Sequence, residues 1–317
     1  MERWHTPDLH WPRRRQRRET LAALRDSRFS DGVVCPRCEG RRVHRWGTSS
    51  GRQRYRCLGC GRTFNDLTGT PAAYLKKIEL LPDYGSCMAE GLSVRKAGAR
   101  LGIAPSTALR WRHRLLRALA ATADADPASK LSGWIEVSTR LWFPKSFKGR
   151  PVPDRPARSR GIRYRTGFQG MRANVLTACD RRGHVLATLL PETYPAYHIS
   201  TDHVEQALAR RVTGSSPVLT SWQGPLGWFG TVTRRRPGWR YQQAPAGFRN
   251  HPDPWPAHVR TVQAYEVRLR HWIARFRGVA TTYLPLYLSW HRAVDSRSAR
   301  GVVTALLRWP VQPSGFG

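Results

Sequence analysis

Cys35-Pro36-Arg37-Cys38 is followed, after eighteen intervening residues, by Cys57-Leu58-Gly59-Cys60. Two Cys-x-x-Cys knuckles at this separation bring four soft thiolates to one tetrahedral ion, and Zn²⁺ is the metal that such spacing selects. All four coordination positions are then filled by protein, which leaves no place for water or substrate. Cys35, Cys38, Cys57 and Cys60 therefore read as ligands of a structural zinc. Gly40, Gly59 and Gly61 supply the backbone freedom that the knuckle turns need. Between the knuckles, Val43-His44-Arg45-Trp46 and Gln53-Arg54-Tyr55-Arg56 alternate apolar with polar or basic residues around the turn Gly47–Gly51, the pattern of a hairpin. The alternative for the same cysteines is a pair of disulfides, which suits a secreted protein, and nothing in the sequence suggests secretion. Cys87 and Cys179 are left over and, as isolated cysteines, read as buried, reduced thiols without a role.

The charge balance is the second strong signal. Fifty-four basic residues face 21 acidic ones, a net charge of +33, and a field of that size attracts polyanions whatever the fold. Only six of the basic residues are Lys; a GC-rich coding sequence explains the preference for Arg but not the excess of cations. Nucleic acid is the expected partner. An anionic membrane surface fits less well, since no amphipathic helix with a basic face stands out. Met1–Asp8 lacks the apolar core of a signal peptide, and no apolar run approaches the ~20 residues of a membrane span. The expectation is a cytoplasmic, nucleoid-associated bacterial protein that makes no membrane contact.

The elements that would present these charges can be read in chain order. Residues 1–30 carry the run Arg13-Arg14-Arg15-Gln16-Arg17-Arg18, either an arm along DNA phosphates or a solvated tail, and the ribbon occupies 31–70. Residues 71–120 have three-helix periodicity, with breaks at Leu81–Gly85, Glu90–Leu92 and Leu101–Ala104. The last two helices have the pattern of a helix-turn-helix: Ser93 caps the first, the turn at Gly102 is short, and Pro105 opens the second. Ala108, Trp111, Leu115 and Leu119 form a core stripe on that helix. Thr107, Arg110, Arg114 and Arg117 share another face, suited to a major groove. Ser106, Thr107 and Arg110 are the candidates for base edges, and Arg112, His113 and Arg114 for phosphates. The bland alternative is a helical hairpin with solvated arginines.

Residues 121–130 read as a small, polar, Pro-containing linker. An α/β pattern follows over 131–292. Trp134–Ser138 is a strand, and Arg172–Cys179 and His184–Leu190 form a hairpin turning at Asp180–Gly183. Asp202 and Glu205 pair to cap a helix, Pro217–Ser221 is a short strand, and Val259–Arg277 is a long amphipathic helix. Trp222–Pro256 has no readable periodicity, and 293–317 reads as a C-terminal tail. The whole is a multidomain α+β chain.

This order, and the wording of several segments, resembles insertion-sequence transposases with a ribonuclease H-like DDE domain. The similar segments are Arg54–Cys57 with Arg62–Thr70 at the ribbon exit, Ser93–Arg114 in the helix-turn-helix, Ser146–Gly149 after the first strand, and Gly278–Leu288 with Trp290 near the end. The resemblance runs from about Cys35 to Arg292. It implies a ribonuclease H-like α/β domain, binding to double-stranded DNA at an element's terminal repeats, homo-oligomer formation, and two Mg²⁺ ions held by three carboxylates that cleave and join strands. Hard oxygen anions are needed there because Mg²⁺ is a hard cation. This chain departs from that pattern at each acidic position. Ser138 and Thr139 stand where the family has Asp-Glu, Trp222 and Gln223 where it has Asp-Gly, and Gln263 at the third acidic position. Losing even a partner behind a metal ligand typically costs ~10- to 100-fold, so losing the ligands themselves should cost far more.

The resemblance and the departure together give a transposase-like, sequence-specific DNA-binding protein that no longer catalyses. Lys145–Arg165 and Arg234-Arg235-Arg236 would then add phosphate contacts. A divergent active transposase that rebuilds its Mg²⁺ site from Glu136, Glu266 and Asp202 is the enzyme alternative. A zinc-ribbon transcriptional regulator is a third.

Overall fold

The computed structural model describes residues 22, 26, 28–125, 130–145, 172–191, 199–212, 216–221, 240–244, 259–296 and 299–307. Trp222, the basic run 13–18, Ser146–Gly149, Arg234–Arg236 and nearly all of the expected loop 144–165 lie outside them. The chain divides into two compact units, one of Met1–Thr122 with Arg297–Gly317 and one of Ala123–Ser296.

The first unit begins with the expected hairpin. Strands β1 (Val43–Ser49) and β2 (Arg52–Cys57) pair antiparallel, and β3 (Thr63–Asn65) adds to β2. Cys35, Cys57 and Phe64 form a small core with Val33, Val43, Tyr55 and Cys60 packed on it. So few apolar groups cannot hold a fold of this size without a staple. Past β3, the Asn65 Oδ1 atom accepts the N–H groups of Leu67 at 3.0 Å and Thr68 at 3.1 Å, closing an Asx turn.

Helices α1 (Leu81–Ala89), α2 (Val94–Leu101) and α3 (Pro105–Ala125) follow. The sequence reading of Leu81–Gly85 as a break needs correction: α1 starts there, with Pro82 in its first turn, where a missing N–H costs nothing. The α2–α3 corner is as expected. Ser93 Oγ accepts from Lys96 N–H at 3.3 Å, and Gly102 ends α2 at φ +62°. The corner is tight as well: a Cβ on Gly98 would lie 2.8 Å from the Ile103 carbonyl oxygen. Ala108, Trp111, Leu115, Leu116 and Leu119 are all buried, with Trp111 edge-on to Tyr84 at 5.6 Å and the Tyr84 hydroxyl donating to the Ala108 carbonyl. Helix α3 runs on to Ala125, into the expected linker, because Ala120–Ala125 is rich in the best helix former.

The second unit is a five-stranded sheet in the order β6-β5-β4-β7-β8, built from β4 (Ile135–Pro144), β5 (Arg172–Asp180), β6 (Val185–Leu189), β7 (Pro217–Ser221) and β8 (Arg240–Ala244). β4, β5 and β6 pair antiparallel, and β7 and β8 run parallel to β4. One face packs Ile135, Val137, Leu176, Ala178 and Leu186 against Val204 and Leu208 of α4 (Thr201–Ala209). Ser200 holds the N-cap of α4 without a side-chain bond, so the Asp202–Glu205 capping pair is not formed as expected. The other face meets α5 (Arg260–Ala274), and α6 (Leu284–Ser296) follows it. The segment read as a tail, 293–317, contains the end of α6 and then α7 (Ala299–Leu307), which packs on α1 in the first unit.

Candidate functional site

The two cysteine knuckles are built alike. Cys35 N–H donates to Gly40 O and Cys57 N–H to Arg62 O, each at 3.0 Å. Glu39 N–H donates to Cys35 O and Gly61 N–H to Cys57 O, each at 2.9 Å. Each turn needs one residue in the left-handed region, Glu39 at φ +58° and Gly61 at +68°. Gly40 and Gly59 do not supply the backbone freedom expected of them. Their φ angles are ordinary, and a Cβ on Gly40 would lie 3.4 Å from Cys38 Sγ and one on Gly59 3.7 Å from Cys57 Sγ, both ordinary van der Waals contacts.

The four Sγ atoms lie within 4.8 Å of one another, with Cys35–Cys60 at 3.7 Å and Cys38–Cys57 at 3.5 Å. Bond lengths of about 2.3 Å to zinc give a tetrahedron with edges of about 3.8 Å, whereas a disulfide needs about 2.05 Å. The quartet fits a structural Zn²⁺, and all six cysteines are free thiols. The Cys60 backbone N–H directed at Cys57 Sγ lowers that thiol's pKa, while at Cys38 the Gly40 backbone N–H is outweighed by the neighbouring sulfurs, which raise the pKa.

The expected recognition face of α3 separates into three groups. Thr107, Arg110, His113, Arg114 and Arg117 line one cleft of about 890 Å³. Ser106 is exposed at the start of α3 but does not line it. Arg112 must be corrected as a phosphate contact: it is fully buried and donates to the Leu92 carbonyl at 2.6 Å. His113 is half-buried, and burial followed by the charges of Arg117 and Arg112 lowers it to about 4. At neutral pH it offers a neutral imidazole rather than a cation. Arg114 donates to the Ala73 carbonyl at 3.0 Å and so also ties α3 to the segment before α1. That segment brings in residues the sequence reading missed: Tyr74, Lys76 and Lys77 form the other wall.

In the second unit Ser138 is 4% exposed and sits opposite Thr177 in the β4–β5 register, just before the ladder shifts between Ser138 and Leu141. Glu136 lies on the same face, as expected, but is committed elsewhere. Its Oε2 accepts the Val262 N–H at 2.9 Å, which caps the first turn of α5 from a neighbouring strand. Its Oε1 lies 3.2 Å from Arg181 Nη2. Glu266 Oε1 accepts from the Thr177 hydroxyl at 2.7 Å. That hydroxyl is also 3.2 Å from the Ser138 carbonyl, but its single proton goes to the nearer acceptor. Gln263 is exposed on the first turn of α5, and Asp202 is exposed on α4. Among the described residues the cysteine quartet is the one convergent group of three or more His, Cys, Asp or Glu side chains, and none of the described helices is long and apolar enough to cross a membrane.

Comparison with known proteins bears on the cysteine quartet first. Residues 18–63 match the transposase zinc-ribbon domain. Over 283 residues the chain is 31% identical to an uncharacterised protein in transposable element ISH50 of Halobacterium salinarum (strain ATCC 700922 / JCM 11081 / NRC-1), covering 86% of this chain and 88% of that one.

Proposed function

Because the chain belongs to the insertion-sequence transposase family with an N-terminal zinc ribbon, we propose that it binds double-stranded DNA sequence-specifically, at the ends of its element, and no longer cuts it. The observation that carries this reading is the cleft that gathers Arg110, Arg114 and Arg117 of α3 with Lys76 and Lys77. In this reading α2 and α3 form a helix-turn-helix, and Thr107 and Arg110 meet base edges from the N-terminal part of α3. Arg114, Arg117 and the two lysines engage phosphates, and His113 donates as a neutral group. The second unit is a ribonuclease H-like domain, a reading supported by its three antiparallel strands, helix, parallel strand and late helix. Its acidic positions are Ser138, Trp222 and Gln263. The nearby carboxylates Glu136 and Glu266 hold α5 to the sheet, which supports reading them as packing groups.

The test is gel retardation and strand nicking by the zinc-loaded full chain, with Mg²⁺ or Mn²⁺, on a duplex of the terminal sequences that flank its own gene. Retardation without product is the expected result. Affinity should fall by ~10³ to 10⁵ between 50 and 200 mM salt if about 6 to 10 phosphates are engaged. A flat salt response would overturn the binding reading. Nicked product that vanishes in Glu136→Gln would overturn the loss of catalysis.

A further inference from the structure

Tyr74 stands 95% exposed on the wall of the cleft, the most exposed of the large apolar side chains among the described residues. Its backbone lies at φ +60°, a conformation that turns ordinarily leave to glycine because an L side chain crowds its own carbonyl there. The surrounding turn holds it in that state. Ala72 is buried, Ala73 N–H donates to Thr70 O at 3.1 Å, and Leu75 N–H donates to Ala72 O at 3.2 Å. The Thr70 hydroxyl donates to Leu67 O at 2.6 Å, and Arg114 pins the Ala73 carbonyl, one residue before Tyr74, from α3.

Neither the strain nor the exposure serves the fold. Glycine would close the turn without strain, and a ring turned inward would leave water. A rigid backbone that keeps an aromatic ring in solvent is arranged for a ligand. The flanking charges say which kind. Lys76 and Lys77 follow in sequence, and Arg110, Arg114 and Arg117 line the same cleft. A flat ring beside phosphate-holding cations is how proteins take up the face of a nucleobase. Resting on the DNA-binding reading of this cleft, we infer that Tyr74 stacks on a base displaced from the helical stack of the bound DNA. The cleft's cations hold the adjoining phosphates.

Displacing a base costs least where its pairing is already broken, and this gives the test. Fluorescence anisotropy is measured with the zinc-loaded full chain on the terminal duplex and on a series carrying one mismatch moved along it. Mismatches at a confined set of positions should bind about tenfold tighter than the matched duplex. Tyr74→Ala should abolish that preference and weaken binding by about 5- to 100-fold, while Tyr74→Phe keeps both. Tyr74→Gly should lose the preference with a thermal midpoint equal to or above that of the parent, since it relieves the backbone. An equal loss on every duplex, or no loss, in Tyr74→Ala overturns the inference and leaves DNA binding standing. A lowered midpoint in Tyr74→Gly makes the ring structural and overturns it too. Failure of the parent protein to retard any of these duplexes overturns the DNA-binding reading itself.

Discussion

The two units treat their metal-capable side chains in opposite ways. In the first, four cysteines from two similar turns point at one centre. In the second, Glu136 and Glu266 lie on one sheet face near Ser138, yet each is occupied by a packing partner, a helix N–H and an arginine for one and a threonine hydroxyl for the other. Burial of a carboxylate is therefore a poor sign of a metal site by itself. Convergence of otherwise unoccupied donors is the better one.

The contrast breaks most visibly if the metal is withdrawn. Binding of Zn²⁺ to such a site is worth about 10–16 kcal/mol and is inseparable from folding. Chelation, or Cys57→Ser, should collapse the amide resonances of β1–β3 while the melting of the second unit is unchanged. Loss of both transitions together would mean the units are not separate. Next in size, Glu136→Ala should cost about 2–4 kcal/mol in urea unfolding of the second unit, because it strips an acceptor from a buried N–H and leaves Arg181 without its ion pair. Glu136→Gln, which keeps an acceptor, should cost less. An unchanged midpoint for Glu136→Ala would mean that this carboxylate is not structural.

A pH effect should also fall on the second unit. His291 is 3% exposed, its Nδ1 lies 3.2 Å from the Tyr265 hydroxyl, and burial lowers its pKa to about 4. The unfolded chain, near 6.5, therefore binds this proton more readily than the folded one. The stability from keeping His291 neutral is fully present above about 6.5 and drains away as pH falls toward 4, by roughly 3 kcal/mol at most. His291→Phe should flatten that part of the stability profile. The smallest effect belongs to the first unit. Gly98→Ala gains about 1 kcal/mol of helix propensity but pushes a methyl onto the Ile103 carbonyl. A net loss of about 1–2 kcal/mol in thermal unfolding is expected, and a stabilised variant would mean that the α2–α3 corner has slack.

How much of this was legible in the sequence depended on whether a local rule governed the residue. Cysteine spacing is such a rule, and so are the Ser93 cap, the Gly102 stop and the Asp180–Gly183 turn, and each is present where it was read. Arg112 falls outside a core stripe limited to Ala108, Trp111, Leu115 and Leu119, and the buried surface of α3 is wider than that. Arg112 sits four residues from both Ala108 and Leu116, both buried, and that row was the available signal. Leu81-Pro82 reads as a stop, although proline begins helices as readily as it follows them. Tyr74, Lys76 and Lys77 lie in a stretch with helical periodicity that folds instead as turns, and only their place beside α3 makes them a wall. β8 falls within Trp222–Pro256 and reads Arg-Tyr-Gln-Gln-Ala, with neither alternation nor an apolar run to announce a strand.

Helix α7 rests on α1 closely enough that a Cβ on Gly85 would meet Val303 at 3.3 Å, so the first unit is assembled from both ends of the chain. During synthesis its opening helices leave the ribosome long before the segment that covers them is made. They must wait through the translation of the whole second unit with one face bare. A stop codon or frameshift anywhere ahead of Ala299 would thus damage the unit encoded first, even with every ribbon and α1–α3 residue intact.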